Sequence, residues 1–440
     1  MQIRMLPMIA FATFILGLVT GDCVVGVVPG ENVARVEMLL DGQLVAEIRK
    51  PPWEAVVDFG PYPEPHLLVA VAMDQEGGET ARVEQWVNRP KRLAEASLVL
   101  TPGTGGRGRS AVLSWRSVVA ADPVATRITF DGTPLPVADA ARIALPDFEP
   151  AQVHFLKAEL DFPQNVSAVA EIIFGGRQPD EAQTDLTAIL VTVPKSGKPK
   201  SWKLPRPEAM EGWFTDDCVP LRVVAVEDGP GEVLVVVDSS ARHALEAMAF
   251  SGSWFRDSVH LPKDQRLRVV SPFPERRHHS GVEHFLFPIS EDLFPSASGG
   301  FLQQYARLRQ PGWNLEDQRL VDALAVAGMS ASGRDRRRAV VLLTGPEPFD
   351  RSRLSVEGVR HYFASIGVPF FTIVVHPYGH EAAAAFGGPV LDGSSARALR
   401  DAFRELADTL ERQRVVWLAG KLLPQRIALT PEARDIARVP

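Results

Sequence analysis

The hydrophobic pattern of this chain changes period near its middle. From about residue 24 to residue 226, β-prone runs alternate with Gly, Pro and Asp turns; after Gly231 the apolar residues come in unbroken runs or at helical spacing. The change falls in GEVLVVVDSSARHALEAMAF, residues 231–250. Val233 to Val237 has no polar alternation, which predicts a strand buried on both faces, the condition of a central parallel strand. Leu245, Met248 and Ala249 then recur at helical spacing. Strand, polar loop and helix therefore follow one another, and Asp238, Ser239 and Ser240 lie where open α/β sheets bind ligands.

The same logic repeats downstream. Gln265 to Ser271 and Val282 to Phe287 predict strands, Phe301 to Arg309 a short helix, and Leu315 to Ala327 a helix capped by Asn314. Ala339 to Thr344 is a second fully apolar strand, Leu354 to Ile366 is helical, and Pro369 to Val375 is a third buried strand. Ser395 to Arg414 predicts a long amphipathic helix with Leu399, Phe403, Leu406 and Leu410 on one stripe. Val415 to Leu418 should pair as a strand, with Gln425 to Leu429 returning along the same edge after Pro424. Such alternation specifies an α/β doubly wound sheet over residues 231–420, followed by a carboxyl-terminal strand and tail over 421–440.

Upstream, the pattern predicts all-β sandwiches. In residues 24–92, Asp41-Gly42 sits between β-prone runs, a hairpin signal, and Pro51-Pro52-Trp53 ends the hairpin. Glu54 to Phe59, His66 to Met73 and Thr80 to Val87 follow at about ten-residue spacing, the cadence of a sandwich. A second copy is expected over 94–175. Asp131-Gly132 echoes Asp41-Gly42 after 90 residues, and the run from His154 echoes the run from His66 after 88. Residues 176–230 read as a β linker segment, because Lys195 to Pro207 is rich in Lys and Pro.

Residues 1–21 predict a secretory signal peptide: Arg4 without an acid, an apolar run from Met8 to Val19, then small residues. Twelve helical residues rise only about 18 Å, short of a bilayer of about 30 Å, so removal outranks a membrane anchor. A lipid-attachment box ending at Cys23 is disfavoured by Asp22, which stands where such boxes want Gly or Ala. The expected location is therefore periplasmic or extracellular, with the membrane met only through this segment.

Composition narrows the function classes. At 440 residues the chain has room for about three domains. Its net charge of −7, with no basic stripe, speaks against nucleic acid, and Arg334, Arg336, Arg337 and Arg338 read as a solvated loop. Cys23 and Cys218, the two cysteines, permit one disulfide after export or two free thiols. Gly103 to Gly108 satisfies G-x-G-x-x-G, but the β-prone run after it supplies no helix amino terminus for a pyrophosphate, so a hairpin loop is expected.

Residues 24–92 resemble bacterial immunoglobulin-like domains, through the Asp-Gly hairpin, the aromatic after proline and HLLVAVAMD before a Gly-rich turn. Residues 232–416 resemble a von Willebrand factor A domain of the bacterial VWFA-related kind. VLVVVDSS matches its first strand, LPKDQRLRVVSP the next, RRAVVLLTG the fourth, PFFTIVVHP the fifth, and LRDAFRELADTLERQRVVWLAG the closing helix and exit strand. The resemblance implies a metal-dependent adhesion site fed by Asp-x-Ser-x-Ser after the first strand, a Thr from a second loop and an Asp after the fourth strand. Asp238 and Ser240 match the first two positions, whereas Arg242, Gln318 and Gly345 stand at the other three. Mg²⁺ wants near-octahedral oxygen donors. A guanidinium about 6 Å from a divalent ion costs about 5 kcal/mol at an effective dielectric near 20. A degenerate site without metal or cofactor is therefore expected, with Asp238 and Ser240 capping the following helix and Arg242 presented to Asp238 or to an acidic partner.

Catalysis finds little support. His278, His279, Glu283 and His284 approach H-x-x-E-H, but five residues separate His279 from His284, a rotation of about 140° on a helix. Ser240 with His243 lacks a third orienting group. The sequence thus predicts an exported, non-enzymatic protein, with immunoglobulin-like domains and a von Willebrand A-like domain that binds protein or envelope polymer and no small-molecule substrate. A Mg²⁺-dependent adhesion protein and a hydrolase are the alternatives.

Overall fold

The computed structural model describes residues 9–15, 17–31, 33–89, 94–101, 110–117, 119–136, 139, 142–149, 152–163, 166–175, 186–194, 204–250, 265–279, 282–293, 301–302, 305, 308, 315–333 and 336–439. Two compact units divide it, residues 1–91 with 354–366, and residues 92–353 with 367–440.

In the first unit, short alternating runs form seven strands: β1 (Ile9–Phe11), β2 (Asp22–Pro29), β3 (Arg35–Leu40), β4 (Gln43–Ile48), β5 (Glu54–Asp58), β6 (His66–Met73) and β7 (Glu79–Val87). They make two antiparallel sheets, β1-β2-β5 and β4-β3-β6-β7. Val25 and Val27 of one sheet meet Val36, Met38, Leu68, Ala70 and Ala72 of the other in a shared core. This is an immunoglobulin- or fibronectin-like β-sandwich. Helix Val356–Ser365 belongs to the same unit: His361 stacks on Tyr62 with ring centroids 4.0 Å apart, and Tyr362 Oη donates to Asn88 O at 3.2 Å.

The described residues of the segment read above as a leader, 9–15 and 17–21, are part of this sandwich, and residues 1–8 lie outside the described residues. β1 pairs with β2 in the register Ile9↔Pro29 and Phe11↔Val27, and Ile9, Phe11 and Ile15 are buried in the core. Val19 N donates to Asn88 Oδ1 at 2.7 Å, and Asn88 Nδ2 returns a bond to Val19 O at 2.9 Å. An apolar run with small residues after it satisfies both a leader and a core strand with its exit turn. Only the partner strand, 27–29, distinguishes them. Cys23 and Cys218 are both free thiols.

The second unit opens with seven strands: β8 (Ala94–Thr101), β9 (Ser110–Ser117), β10 (Ala125–Phe130), β11 (Thr133–Leu135), β12 (Ile143–Ala144), β13 (Val153–Asp161) and β14 (Ser167–Gly175). Sheets β11-β10-β13-β14 and β12-β9-β8 enclose a core of Leu98, Leu113, Ile128, Leu156, Leu160, Ile172 and Phe174. Gly103 to Gly108 lie outside the described residues; the flanking β8 and β9 pair antiparallel, Thr101 opposite Ser110.

The two sandwiches carry the same polar device. Asp41 and Asp131 adopt φ of 54° and 50° in their Asp-Gly turns. Each carboxylate bonds the histidine of the facing strand, Asp41 Oδ2 to His66 Nδ1 at 2.7 Å and Asp131 Oδ2 to His154 Nδ1 at 2.8 Å. Each other oxygen accepts the next backbone N–H, Leu67 N and Phe155 N, both at 2.8 Å. The turn and the facing strand are thereby riveted together, which explains why these residue types recur at matching offsets.

Strands β15 (Leu186–Thr192), β16 (Phe214–Asp216), β17 (Val219–Leu221) and β18 (Val223–Glu227) lead to the change of period. Then follow β19 (Gly231–Val237), α1 (Ser239–Phe250), β20 (Gln265–Val270), a hairpin of β21 (Glu275–His279) and β22 (Val282–Leu286), α2 (Leu320–Ser332), β23 (Arg337–Thr344) and α3, the helix Val356–Ser365 already placed. After these come β24 (Phe370–Val374), α4 (His380–Phe386), β25 (Val390–Asp392) and α5 (Ala396–Glu411). The sheet order is β20-β19-β23-β24-β25 and every pairing is parallel. Alternate residues of the fully buried β19 serve opposite layers. Val233, Val235 and Val237 pack with Ala241 and Leu245 of α1 and Leu399, Phe403 and Leu406 of α5. On the other face Glu232 pairs with Arg268, whose guanidinium also reaches Ser330 of α2.

Val282 to Phe287 forms a hairpin strand with Glu275–His279, outside the parallel sheet. Asn314 lies outside the described residues, and α2 begins at Leu320 with a cap supplied from elsewhere. The arginines expected in a solvated loop lead into and open β23: Arg336, Arg337 and Arg338 are buried, Arg337 donating to Gly229 O at 2.5 Å and to Leu410 O at 3.3 Å. Arg334 lies outside the described residues.

After α5 the chain returns to what came before β19. β26 (Gln413–Ala419) is the middle strand of β15-β26-β18, and β27 (Ile427–Leu429) pairs with β16 in β17-β16-β27, before a short helix α6 (Pro431–Arg434). Residues 186–194, 204–227 and 413–439 thus share one core, with Ile189, Val191, Met210, Phe214, Val416, Leu418, Ile427 and Leu429. The stretch 176–230 is therefore half of a third sandwich, where described, and 421–440 is part of its other half. Gln425 to Leu429 does not return along the edge of Val415 to Leu418 but joins the second sheet. The α/β domain is inserted between β18 and β26.

Candidate functional site

The parallel sheet changes direction of winding between β19 and β23, so loops leave the carboxyl ends of these strands toward opposite sides and open a crevice. Asp238 stands at that point, fully buried. Its N–H donates to Leu343 O at 2.9 Å, and its carbonyl accepts from Ala241 N at 3.0 Å, so the residue ends β19 and starts α1. A carboxylate at this depth is costly unless its oxygens are satisfied.

They are. Gln318 Nε2 donates to Oδ1 at 2.8 Å and Thr344 Oγ1 to Oδ2 at 3.1 Å, while Ser240 Oγ makes a short bond to Oδ2. Gln318 is itself fully buried and fully used: Nε2 also donates to Phe349 O, and Oε1 accepts Ser239 N at 3.0 Å. Ser240 Oγ in turn accepts Gly345 N at 3.0 Å. The structure therefore gathers Asp238, Ser240, Gln318 and Gly345. Arg242 is the exception, and its expected place against Asp238 is corrected: Nε pairs with Glu246 Oε1 at 2.6 Å, one turn along α1.

This donor set does not fit the divalent cation that the resemblance implies. Gln318 turns its amide nitrogen, a donor, toward the carboxylate, where a cation ligand would turn an oxygen. Gly345 offers no side chain, and there is no room for one: a Cβ there would lie 2.4 Å from Ser240 O and 2.8 Å from Ser240 Oγ. An aspartate at 345 would have to push α1 away from β23.

The neighbouring loops are fixed by a second set of polar contacts that sequence reading missed. Asp350 Oδ1 accepts Leu320 N at 2.7 Å and Ser352 Oγ at 2.6 Å, and Ser352 Oγ accepts Asp322 N at 2.8 Å. The loop after β23 thus caps α2 from outside, satisfying backbone donors that no residue of its own N-terminus reaches. Asp350-x-Ser352 is a turn signature that could have been read as such, though not its target. After β24, Gly379 lies against the loop after β23, where a Cβ would sit 2.7 Å from Gly345 O. Gly379 N donates to His376 O at 3.2 Å, and the resulting turn holds Tyr378 out to solvent at 83% exposure.

Burial pushes the Tyr305 hydroxyl above the ordinary tyrosine range; Arg242 opposes the shift, and Glu246 and Asp238 add to it. At the sheet's edge, the backbone N–H and hydroxyl of Ser394 hold the Asp392 carboxyl below its usual range. The histidine cluster forms no helical face: in the β21–β22 register His278 stands opposite Glu283 and His284 opposite Arg277.

No protein-family model and no curated protein sequence matches this chain. Among solved structures it is similar to the fibronectin(III)-like modules of Clostridium thermocellum CbhA, at 15% identity over 18% of this chain and 92% of that one, with a TM-score of 0.17. It is also similar to the central fibronectin-III array of RIM-binding protein, at 13% identity over 45% and 80%, TM-score 0.21. For proximal thread matrix protein 1 of the mussel byssus the identity is 16% over 42% of this chain and 47% of that one, TM-score 0.28. With scores this far below 0.5, the β-sandwich assignment rests on the strand pairing and cores described above.

Proposed function

We propose that this is a non-enzymatic binding or assembly protein, in which β-sandwiches carry a degenerate von Willebrand A-like domain that engages protein or envelope polymer without metal. The observation that carries the reading is the saturation of Asp238 by Gln318, Ser240 and Thr344 at the winding reversal of the parallel sheet. A carboxylate whose acceptor positions are filled by neutral donors has no call for a cation, and the crevice keeps its position without one. The exposed Tyr378 beside it has the character of an interface anchor, a large ring on a backbone already fixed before binding. Export belongs to this proposal in a form that leaves residues 9–21 in the mature chain.

The test is capture on the immobilised full chain from the native envelope. A partner is expected to stay bound in EDTA and to be lost from Tyr378→Ala, a substitution at an exposed side chain. A partner released by EDTA and restored by Mg²⁺ would support metal-dependent adhesion instead.

A further inference from the structure

Strand β13 is buried on both faces, although its sequence alternates as if one face were solvated. Leu156, Ala158 and Leu160 enter the core of the second sandwich. The opposite positions are Phe155, Lys157, Glu159 and Asp161, and Lys157 is only 3% exposed. Phe155 packs with Trp417 of the third sandwich in an apolar contact. The three charged residues face other elements.

Their partners come from three directions. Lys157 Nζ reaches Glu227 of β18 at 2.7 Å and Glu159 at 3.1 Å, and Glu171 stands opposite Lys157 in the β13–β14 ladder. Glu159 Oε2 accepts from Arg127 of β10 and from Arg336, just before β23, both at 2.9 Å. Asp161 Oδ2 lies 3.3 Å from Arg266 of β20 and 3.5 Å from Arg127, and Arg266 also faces Asp292 at 3.5 Å. Arg336 and Arg266 both sit at the amino-terminal edge of the parallel sheet. The α/β domain is thus seated on the second sandwich through ion pairs, whereas the third sandwich is seated there through the apolar contact of Phe155 with Trp417 as well as the Lys157–Glu227 pair. The hydrogen bonding is incomplete: Asp161 Oδ1, 3.8 Å from Arg336 Nη2, and Arg336 Nη1 are buried without a hydrogen-bond partner.

We propose that the charged face of β13 is an acid-released latch, which holds the α/β domain on the second sandwich at neutral pH and frees it when the carboxylates are protonated. The cations involved keep their charge in acid, so neutralising Glu159, the carboxylate they share, leaves Lys157, Arg127 and Arg336 crowded together. Attraction becomes repulsion. Burial alone would raise the Glu159 carboxyl, but Lys157, Arg336 and Arg127 hold it down to about 2. A depressed carboxyl stabilises the docked state in full above its ordinary value of 4.5, and the contribution is lost as pH falls through about 2. The hydrophobic contact of Phe155 with Trp417 does not titrate, so the third sandwich keeps its seat while the inserted domain loses the ion pairs that hold it.

Calorimetry and small-angle scattering of the full chain test this. At about pH 7 the α/β domain and second sandwich should melt in one transition; at about pH 2 the α/β domain should melt separately and the radius of gyration should grow. Glu159→Gln should show the split already at neutral pH, because three cations lose their shared partner. The paired change Glu159→Leu with Arg336→Leu should stay docked at neutral pH, since Arg266 of the α/β domain keeps Asp161 and no buried charge on either side is left without a partner. One merged transition at both pH values, or equal behaviour of the single and paired variants, would overturn the latch.

Discussion

Truncation after Arg414 is expected to abolish the third sandwich. The lost residues include most of β26, which lies between β15 and β18 and pairs with both, and all of β27. Val415, Val416, Trp417, Leu418, Ile427 and Leu429 are all buried. At roughly 1.5–3 kcal/mol for each large apolar side chain, their removal forfeits on the order of 10 kcal/mol, as much as a whole domain's stability. β15 and β18 would also be left with open edges, and Glu227 would lose the Trp417 Nε1 bond at 2.9 Å. Size-exclusion chromatography and thermal melting should find aggregation and a missing transition. A soluble truncation that melts cooperatively at the wild-type temperature would show that β26 is dispensable.

Deleting residues 1–21 is expected to unfold the first sandwich. The deletion takes Ile9, Phe11 and Ile15 out of the core and uncovers Val25 and Val27 of β2. Three buried side chains of this size contribute about 4–9 kcal/mol, before the lost pairing is counted. The side chain of Asn88, buried and bonded through both of its polar atoms to Val19, would keep only its bond to Glu64 O at 2.8 Å. Amino-terminal sequencing of the native protein should accordingly find Ile9 to Ile15 present. A mature chain that begins at Asp22 and retains a cooperative melt for this unit would refute the assignment of β1.

What sequence could reveal follows from the range of the forces involved. Val233 to Val237 announced the middle of a parallel sheet because five apolar residues in a row have no solvated face to present. The paired Asp-Gly and His landmarks announced a repeated unit because one local geometry needs those residues. Burial of charge was not legible: Lys157, Arg336 and Arg337 look like surface residues, and only distant partners such as Glu227, Glu159 and the Leu410 carbonyl make their burial tolerable. Domain boundaries failed for the same reason. The strands on either side of the inserted domain complete each other across 185 residues or more, as Val226↔Val416 shows with a separation close to 190. Locally, 176–230 has half a core and reads as a linker.

At the site, the residues that meet were legible from the loop positions, but their chemistry was not. Gln318 replaces a ligand in the resemblance, yet its use as a neutral donor to Asp238 depends on Phe349 O and Ser239 N holding the amide in one orientation. Gly345 reads as a missing carboxylate. In three dimensions it is a close approach that Ser240 forbids any side chain to enter.

The account rests most directly on the closure of Asp238, and titration calorimetry of the full chain with Mg²⁺ and Mn²⁺, paired with melting curves in each ion and in EDTA, tests it. A carboxylate already bonded to Gln318, Ser240 and Thr344 should give no binding heat and an unchanged melting temperature. Saturable heat at a single site, with a melting temperature raised by either ion and lost in Asp238→Asn, would contradict it.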